Sequence, residues 1–164
     1  IAESTQHVVL MDDALAIELG ADIHGAVADV FTSADGFKKS ISAPGPGNYL
    51  TLAKAVASAN SLLGEKALAE RSFVQAHGSS TPQNRVTESE IFDRIAGVFN
   101  IKQWPATAVK AFLGHSLAPA SGDQLINTLG IFAHGILPGI NTIDRVADDV
   151  LQERLSISTE HHIF

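Results

Sequence analysis

Residues 72–88 read SFVQAHGSSTPQNRVTE, and this stretch decides the fold because it contains a strand, a loop and the start of a helix in that order. The apolar segment 72–76 predicts a β-strand, and the glycine, serines and proline after His77 predict a loop. The helix that follows has apolar residues on one side, at Ile91, Phe92, Ile95, Val98 and Phe99. A strand that leads through a polar loop into a helix is typical of an α/β domain.

The same order recurs further along the chain. TAVKAF at 107–112 predicts a strand, and GHSLAPAS at 114–121 predicts a turn. Segment 122–134 predicts a helix that packs through apolar residues at Leu125, Ile126, Leu129 and Phe132. Because loops at the carboxyl ends of strands are where α/β sheets bind ligands, the two loops with His77 and His115 are the candidate sites.

The first third of the chain is interpreted in the same way. Segments 7–11 and 22–31 are apolar and β-branched and predict strands, and the helical composition at 12–20 between them ends at a glycine. A longer helix is predicted from Asn48, as its N-cap, to Gly64. The expected fold is therefore α/β, with one mixed β-sheet layered with α-helices.

Composition limits the function classes. The chain has 164 residues, of which 45% are hydrophobic and 18% charged, so we expect residues 1–164 to form one globular domain. No run approaches the roughly 20 apolar residues of a membrane span, and the start lacks a signal peptide, so a soluble cytoplasmic protein is expected. A net charge of −7 without a basic stripe argues against nucleic-acid binding. The absence of cysteine excludes disulfides, thiolate metal sites and thiol catalysis by this chain itself.

The two histidine loops have the composition of a reactive site. Small residues beside His77 and His115 leave space next to each ring, and two neutral imidazole N–H groups can stabilise an oxygen that becomes negative during a reaction. Lys110 lies five residues before His115. A contact between the two requires a sharp turn of the chain, which Gly114 permits.

Plainer interpretations stay open for these residues. His77 could simply bind backbone at a strand end, and Lys110 could be a solvated lysine. A serine hydrolase is disfavoured because the chain has no GxSxG motif, and Ser79 and Ser80 are typical turn formers. No metal site is expected, because the histidines lack HExxH spacing and adjacent residues at 161–162 in a strand point to opposite faces.

Longer motifs carry a resemblance to a known family. QAHGSSTPQNRVTE at 75–88 resembles EAHGTxTPxNDxxE, and KAFLGHSLAPASGDQ at 110–124 resembles KSxxGHxxGAAGxxE. LPGINTID at 137–144 resembles PPTINLxxPD, and segment 43–64 resembles the family's glycine-containing loop and helix. The chain thus resembles the C-terminal half of a β-ketoacyl-acyl carrier protein synthase, a thiolase-fold condensing enzyme, over essentially its whole length and ending before the family's GFGG loop.

The resemblance implies a function and a set of site residues. His77 and His115 match the family's two active-site histidines, and Lys110 matches the lysine that supports them. Supporting positions in the same motifs are Thr81, Glu88 and Gly114. The family's nucleophilic cysteine lies on the N-terminal half, so this half would take part in the decarboxylative Claisen condensation of an acyl thioester with malonyl-acyl carrier protein, in fatty-acid or polyketide synthesis.

Partners also follow from the resemblance. They are the acyl carrier protein, malonyl and acyl thioesters, the protein's own N-terminal half and a second copy in a homodimer, with no cofactor. Carrier proteins are acidic, and Lys38 with Lys39 is the best local basic patch for one. A thiolase that uses coenzyme A is disfavoured, because its second catalytic cysteine would lie in this half.

Two positions depart from the family pattern. Gln124 stands where a glutamate usually pairs with the lysine, and Asp123 is rotated by about 100° on a helix, so it is not expected to be an equivalent substitute. Arg85 replaces a usual aspartate. An alternative function is therefore a non-catalytic subunit, like a chain-length factor, that binds and shapes an active synthase.

Overall fold

The computed structural model describes residues 1–35 and 45–163, and within them the α/β class is confirmed. The helices and strands of this part are α1 (Asp13–Glu18), α2 (Pro46–Leu63), α3 (Glu65–Arg71), β1 (Val74–Gln75), α4 (Pro82–Val98), β2 (Trp104–Thr107), α5 (Lys110–Leu113), α6 (Ala120–His134), β3 (Ile136–Leu137), β4 (Leu155–Ser156) and β5 (His162–Ile163). The Lys38 and Lys39 pair proposed as a basic patch lies outside the described residues. None of the described helices combines the length and apolar character needed to cross a bilayer.

The described strands are divided between two small sheets. A parallel sheet has the order β1-β2-β4, with Val74 opposite Ala106 and Trp104 opposite Leu155. β3 and β5 form a separate antiparallel pair. Parallel strands have their carboxyl ends at the same edge of a sheet, so β1 and β2 deliver the residues after Gln75 and Thr107 side by side.

One apolar core holds α2, α3 and α4 against the parallel sheet. Its buried residues are Val56, Leu68, Val74, Ile91, Ile95, Ala96, Ile101, Trp104 and Leu155. The indole N–H of Trp104 donates to the Ser72 hydroxyl at 2.9 Å, so the only polar atom of this large side chain is satisfied. In the C-terminal half of α4, the buried Asp93 carboxylate accepts from the backbone N–H and the guanidinium of Arg154. Arg154 directly precedes β4, so these bonds fix β4 to the helix.

Two predicted strands are wrong. Segments 7–11 and 22–31 have no regular secondary structure, and their apolar side chains are largely exposed, with Val9 80% and Val30 76% accessible. A strand needs a hydrogen-bonded neighbour, and none of the described strands pairs with either segment. The helical prediction between them is confirmed as α1, which Asp12 caps by accepting from the Ala14 N–H.

The strand predicted at 107–112 is also wrong beyond its first residue. β2 ends at Thr107, and the chain turns at once into α5, where the Ala111 N–H donates to the Ala108 carbonyl. The apolar composition of this segment misled the prediction, because short apolar runs fit a buried helical turn as well as a strand.

Helix α2 begins earlier than predicted. Gly45 is the N-cap and Pro46 opens the helix, where its missing N–H costs no hydrogen bond. Asn48, the predicted cap, lies in the first turn instead, and its backbone and side-chain N–H groups both donate to Asp35.

Candidate active site

One carboxylate of α4 binds the backbone of the loop after β1. Glu88, on the second turn of α4, accepts from the backbone N–H of His77 at 2.7 Å and from that of Gly78 at 2.8 Å. Asn84, one turn earlier, donates to the same carboxylate at 2.6 Å. Thr81 caps the helix by accepting from the Asn84 N–H at 3.3 Å. Together these contacts hold the backbone of His77 and Gly78 against the start of α4, and so fix the position from which the His77 side chain extends.

Gly78 is required by its surroundings. It has a φ of +58°, and a Cβ atom built there would overlap the Cβ of Ala108 well inside van der Waals contact. The next turn contains Ser80 at a φ of +62°, a conformation that non-glycine residues seldom adopt. The loop after β1 thus packs tightly against the segment after β2.

Lys110 lies behind the His77 loop. It begins α5, and only 8% of the residue is exposed. Its ammonium group donates to the His77 carbonyl oxygen at 2.7 Å and lies 3.5 Å from Nδ1 of the same residue. Desolvation lowers the pKa of Lys110, while the negative charges of Glu88 and Asp123 raise it and so oppose that effect.

His115 is placed by a reversal of the chain. Gly114, at a φ of +78°, ends α5 by donating its N–H to the Lys110 carbonyl at 2.9 Å, and His115 follows. The Leu117 backbone N–H donates to His115 Nδ1 at 3.0 Å. Because Nδ1 accepts a hydrogen bond, the proton of the neutral ring is on Nε2.

The two histidine rings meet at the carboxyl edge of the sheet. Their centroids are 5.1 Å apart and their planes are inclined by 76°. Desolvation of the His77 ring, followed by the nearby positive charge of Lys110, lowers the pKa of His77 below its ordinary value. The ring is therefore neutral at pH 7, and the ammonium group beside Nδ1 favours a proton on Nε2, as in His115.

Two residues of α6 support the site. The Gln124 side chain donates to the Ala76 carbonyl, so this position still contacts the His77 loop, but as a neutral donor. Asp123 is 6% exposed and accepts from the hydroxyls of Ser116 and Ser4 and from the amide of Gln6. Asp123 is therefore not equivalent to Gln124, in line with the expectation, because it contacts the His115 loop rather than the His77 loop. Its hydrogen bonds to residues 4 and 6, more than 110 positions away, gave no signal in a local motif.

The charge reversal at Arg85 has a local explanation. Its guanidinium binds the Asp149 carboxylate in a two-pronged pair, with contacts of 2.7 and 2.9 Å on the protein surface. The pairing raises the pKa of Arg85 and lowers the pKa of Asp149, through the hydrogen bond between them. In the part of the chain that the structure describes, the side-chain hydrogen bonds of Arg85 go to Asp149 and not to the histidine pair.

A cavity of about 320 Å³ lies behind the His77 loop, between α4, the parallel sheet and the segment 140–157. It is lined mainly by apolar side chains, among them Phe92, Ile140 and Val150. His77, His115 and Lys110 are not part of its wall, but Ala76, Gly78 and Glu88 are, so the cavity borders the loop that holds His77. No three His, Asp or Glu side chains converge as a metal site anywhere in the described ranges.

This geometry agrees with what the chain is similar to. The model of the β-ketoacyl synthase C-terminal domain matches residues 24–144. The chain is 72% identical over 158 residues to the β-ketoacyl-[acyl-carrier-protein] synthase FabY of Pseudomonas aeruginosa, covering 96% of this chain and 25% of that protein. It therefore spans about a quarter of the length of this relative.

Solved structures agree with the sequence comparison. The crystal structure of the noncanonical ketosynthase FabY from P. aeruginosa matches this chain with a TM-score of 0.90 and 69% identity. The match covers 94% of this chain and 24% of the FabY chain. The ishigamide ketosynthase/chain length factor matches 90% of this chain and 35% of its own, with a TM-score of 0.69 and 26% identity. The thiolase-like fold expected from the motifs is confirmed by these neighbours. The chain belongs to the β-ketoacyl synthase C-terminal domain family.

Proposed function

We propose that this domain is the histidine-bearing part of a 3-oxoacyl-acyl carrier protein synthase, in which His77 and His115 stabilise the enolate formed from a malonyl thioester. The observation that carries the proposal is the ring pair, with centroids 5.1 Å apart and Nδ1 of each ring facing a donor. Each ring is thereby left with an Nε2–H group that can donate to one substrate oxygen.

The reaction makes clear why two neutral donors are useful. The bond between the malonyl carboxylate and the central carbon breaks, carbon dioxide leaves, and the electron pair moves onto the thioester oxygen as an enolate. That carbon then attacks the acyl thioester, and the thiolate that held the acyl chain leaves. Donors aimed at the developing negative oxygen are each worth about 100- to 1000-fold in rate.

Lys110 serves the pair through His77. Its ammonium group is bonded to the His77 carbonyl, and its charge disfavours protonation of the neighbouring ring. A protonated His77 would have protons on both ring nitrogens and would carry a positive charge before the reaction begins. We therefore assign Lys110 to positioning and to keeping His77 neutral, with Glu88 fixing the same loop from the other side.

The domain needs a partner that carries the nucleophile. The sequence contains no cysteine, and acyl transfer by this route requires a covalent thioester on the protein. In this proposal the nucleophile lies on the N-terminal half of the complete ketosynthase, which forms a homodimer and receives its acyl and malonyl groups from acyl carrier protein.

A second candidate function is a subunit that binds and shapes an active synthase. It is considered because the chain is similar to the ishigamide ketosynthase/chain length factor, whose name includes both an enzyme and such a subunit. The intact contacts among Lys110, His77 and Glu88 favour the enzyme, because a subunit without catalysis has no need of a buried cation beside a neutral imidazole.

The test uses the complete ketosynthase with an acyl thioester and malonyl-carrier protein. Mass spectrometry should detect first an acyl adduct on the protein and then a β-ketoacyl product on the carrier. The isolated 164-residue domain, assayed in parallel, should form neither. A complete protein that takes up no acyl group and releases no carbon dioxide would refute the enzyme and support the subunit.

A further inference from the structure

The carboxylate of Asp123 has an unusual environment for a buried charge. It accepts from the hydroxyls of Ser116 and Ser4 and from the amide of Gln6, all of which are neutral donors. Within the described part of the chain it makes no ion pair. Burial of a carboxylate is costly unless hydrogen bonds or an opposite charge offset the loss of water, so at 6% exposure Asp123 depends on these three neutral donors, and they in turn are held by it.

Asp123 is linked to the His115 ring through Ser116. Ser116 is buried and directly follows His115, and its hydroxyl donates to Asp123. The peptide between Ser116 and Leu117 supplies the N–H that binds His115 Nδ1. Leu117 has a φ of +64°, which is strained for a leucine, so this peptide needs an outside restraint to stay in place. The Asp123–Ser116 hydrogen bond supplies that restraint.

Asp123 also acts through its charge. The Lys110 ammonium donates to the His77 carbonyl, and the negative charges of Glu88 on α4 and Asp123 on α6 both raise the pKa of Lys110. At position 124 the side chain is a neutral amide that binds the Ala76 carbonyl. The Asp123 carboxylate, one residue earlier, is charged and raises the pKa of Lys110.

The upstream segment completes the arrangement. Besides the contacts of Ser4 and Gln6 with Asp123, the Ala2 backbone N–H donates to the His115 carbonyl at 3.0 Å. Gly122 allows the close approach, since a Cβ atom there would overlap the Gln6 amide oxygen. Residues 2–6 thus hold the His115 loop and the start of α6 together.

We propose that Asp123 is a positioning residue of this site, which holds the Nε2–H tautomer of His115 through Ser116. The proposal rests on the proposed function only for its effect on catalysis. The effect on the His115 ring is a property of the folded protein and is measured separately.

The experiment compares two variants of the complete ketosynthase. Asp123→Asn removes the charge, whereas Ser116→Ala removes one hydroxyl and keeps the charge. Both should shift the Nδ1 and Nε2 resonances of ¹⁵N-labelled His115 towards a mixture of tautomers and lower the rate of malonyl decarboxylation by up to about 100-fold. Only Asp123→Asn should also move the alkaline limb of the pH–rate profile to lower pH, because Asp123 raises the pKa of Lys110.

The control is Asp148→Asn, which removes an exposed carboxylate that pairs with Arg145 at 3.5 Å and should change none of these quantities. Wild-type tautomer populations, rate and alkaline limb in Asp123→Asn would overturn the proposal. If that variant does not fold, a wild-type His115 tautomer in Ser116→Ala would overturn it instead. A tautomer shift in the variants of a protein that decarboxylates no malonyl thioester would uphold the positioning role and refute the proposed function.

Discussion

The ammonium group of Lys110 lies 2.7 Å from the carbonyl oxygen of His77 and 3.5 Å from its Nδ1, so one buried cation contacts both the backbone and the ring of the same histidine. The residues are 33 positions apart, and β1 and β2 bring them together because the two strands are parallel neighbours. The contact connects the protonation state of the lysine to that of the histidine.

The pH profile should report this connection. Lys110→Met removes a charge that lowers the pKa of His77, so that pKa should rise. If decarboxylation needs neutral His77, the acid limb of the pH–rate profile should then move to higher pH, and the maximal rate should fall. Lys102→Met, at an exposed lysine outside the site, is the control. An unchanged acid limb in Lys110→Met would show that Lys110 does not set the charge of His77.

The free energy of unfolding should fall as the pH falls, because folding lowers the pKa of His77. The folded state lowers the pKa of His77, so the unfolded chain binds a proton more readily. The contribution of His77 to the free energy of unfolding is therefore present above the unfolded pKa of about 6.5 and is lost as the pH falls below it. Urea denaturation between pH 5 and 8 should show a smaller decline in His77→Gln than in wild type. Parallel declines in the two proteins would contradict the assignment.

Glu88 should matter more to stability than a glutamate two residues away. Glu88→Gln replaces an acceptor of two backbone N–H groups by an amide, at an expected cost of about 1 to 3 kcal/mol. Glu90 is partly buried and pairs with the exposed Arg94 one turn further along the same helix, so Glu90→Gln should cost about 0.5 kcal/mol or less. Equal losses in chemical denaturation of the two variants would argue against the proposed role of Glu88.

The close packing at Gly78 makes a second stability comparison possible. Gly78 and Gly64 both have a positive φ, but a Cβ atom at Gly64 meets nothing within 4 Å, whereas one at Gly78 overlaps Ala108. Gly64→Ala should cost about 1 to 3 kcal/mol from backbone strain alone, because its φ of 82° and ψ of 160° suit essentially only glycine, and Gly78→Ala should cost more because of the overlap. Adding Ala108→Gly should recover part of the difference. A Gly78→Ala protein as stable as Gly64→Ala would mean that the two loops separate easily.

How far the sequence predicts this structure depends on the range of the interaction. The histidine loops, the turn at Gly114 and the helix after Thr81 follow from local patterns, because glycine, capping residues and apolar periodicity act within a few positions. Segments 7–11 and 22–31 have the composition of strands, but whether a strand forms depends on a neighbour that local sequence does not supply.

The support of the site was harder to predict than its centre. His77, His115 and Lys110 lie in motifs, whereas Ser4 and Asp123 meet across 119 positions. The rotation of about 100° between Asp123 and Gln124 predicts that the two side chains are not equivalent, but it does not predict what Asp123 contacts. In the structure the Gln124 side chain contacts the β1 loop and the Asp123 side chain contacts the His115 loop.

The exposed apolar surface leads to a prediction about association. Phe132 is 60% and Ile126 45% accessible on α6, and segments before α2 add further exposed side chains such as Leu10 and Ile23. Large contiguous apolar patches are unusual on monomers and commonly mark interfaces. The isolated domain should therefore self-associate in sedimentation velocity experiments, and Phe132→Ser should weaken the association. A strict monomer at high concentration would contradict the half-enzyme account.

The most direct measurement is malonyl decarboxylation by the complete ketosynthase with either histidine replaced. His77→Ala and His115→Ala should each lower the rate of carbon dioxide release by about 100-fold or more, because each removes one donor to the enolate oxygen. His134→Ala, at an exposed residue at the far end of α6, should leave the rate unchanged. Wild-type decarboxylation in either active-site variant would contradict the assignment of the pair as the enolate-stabilising site.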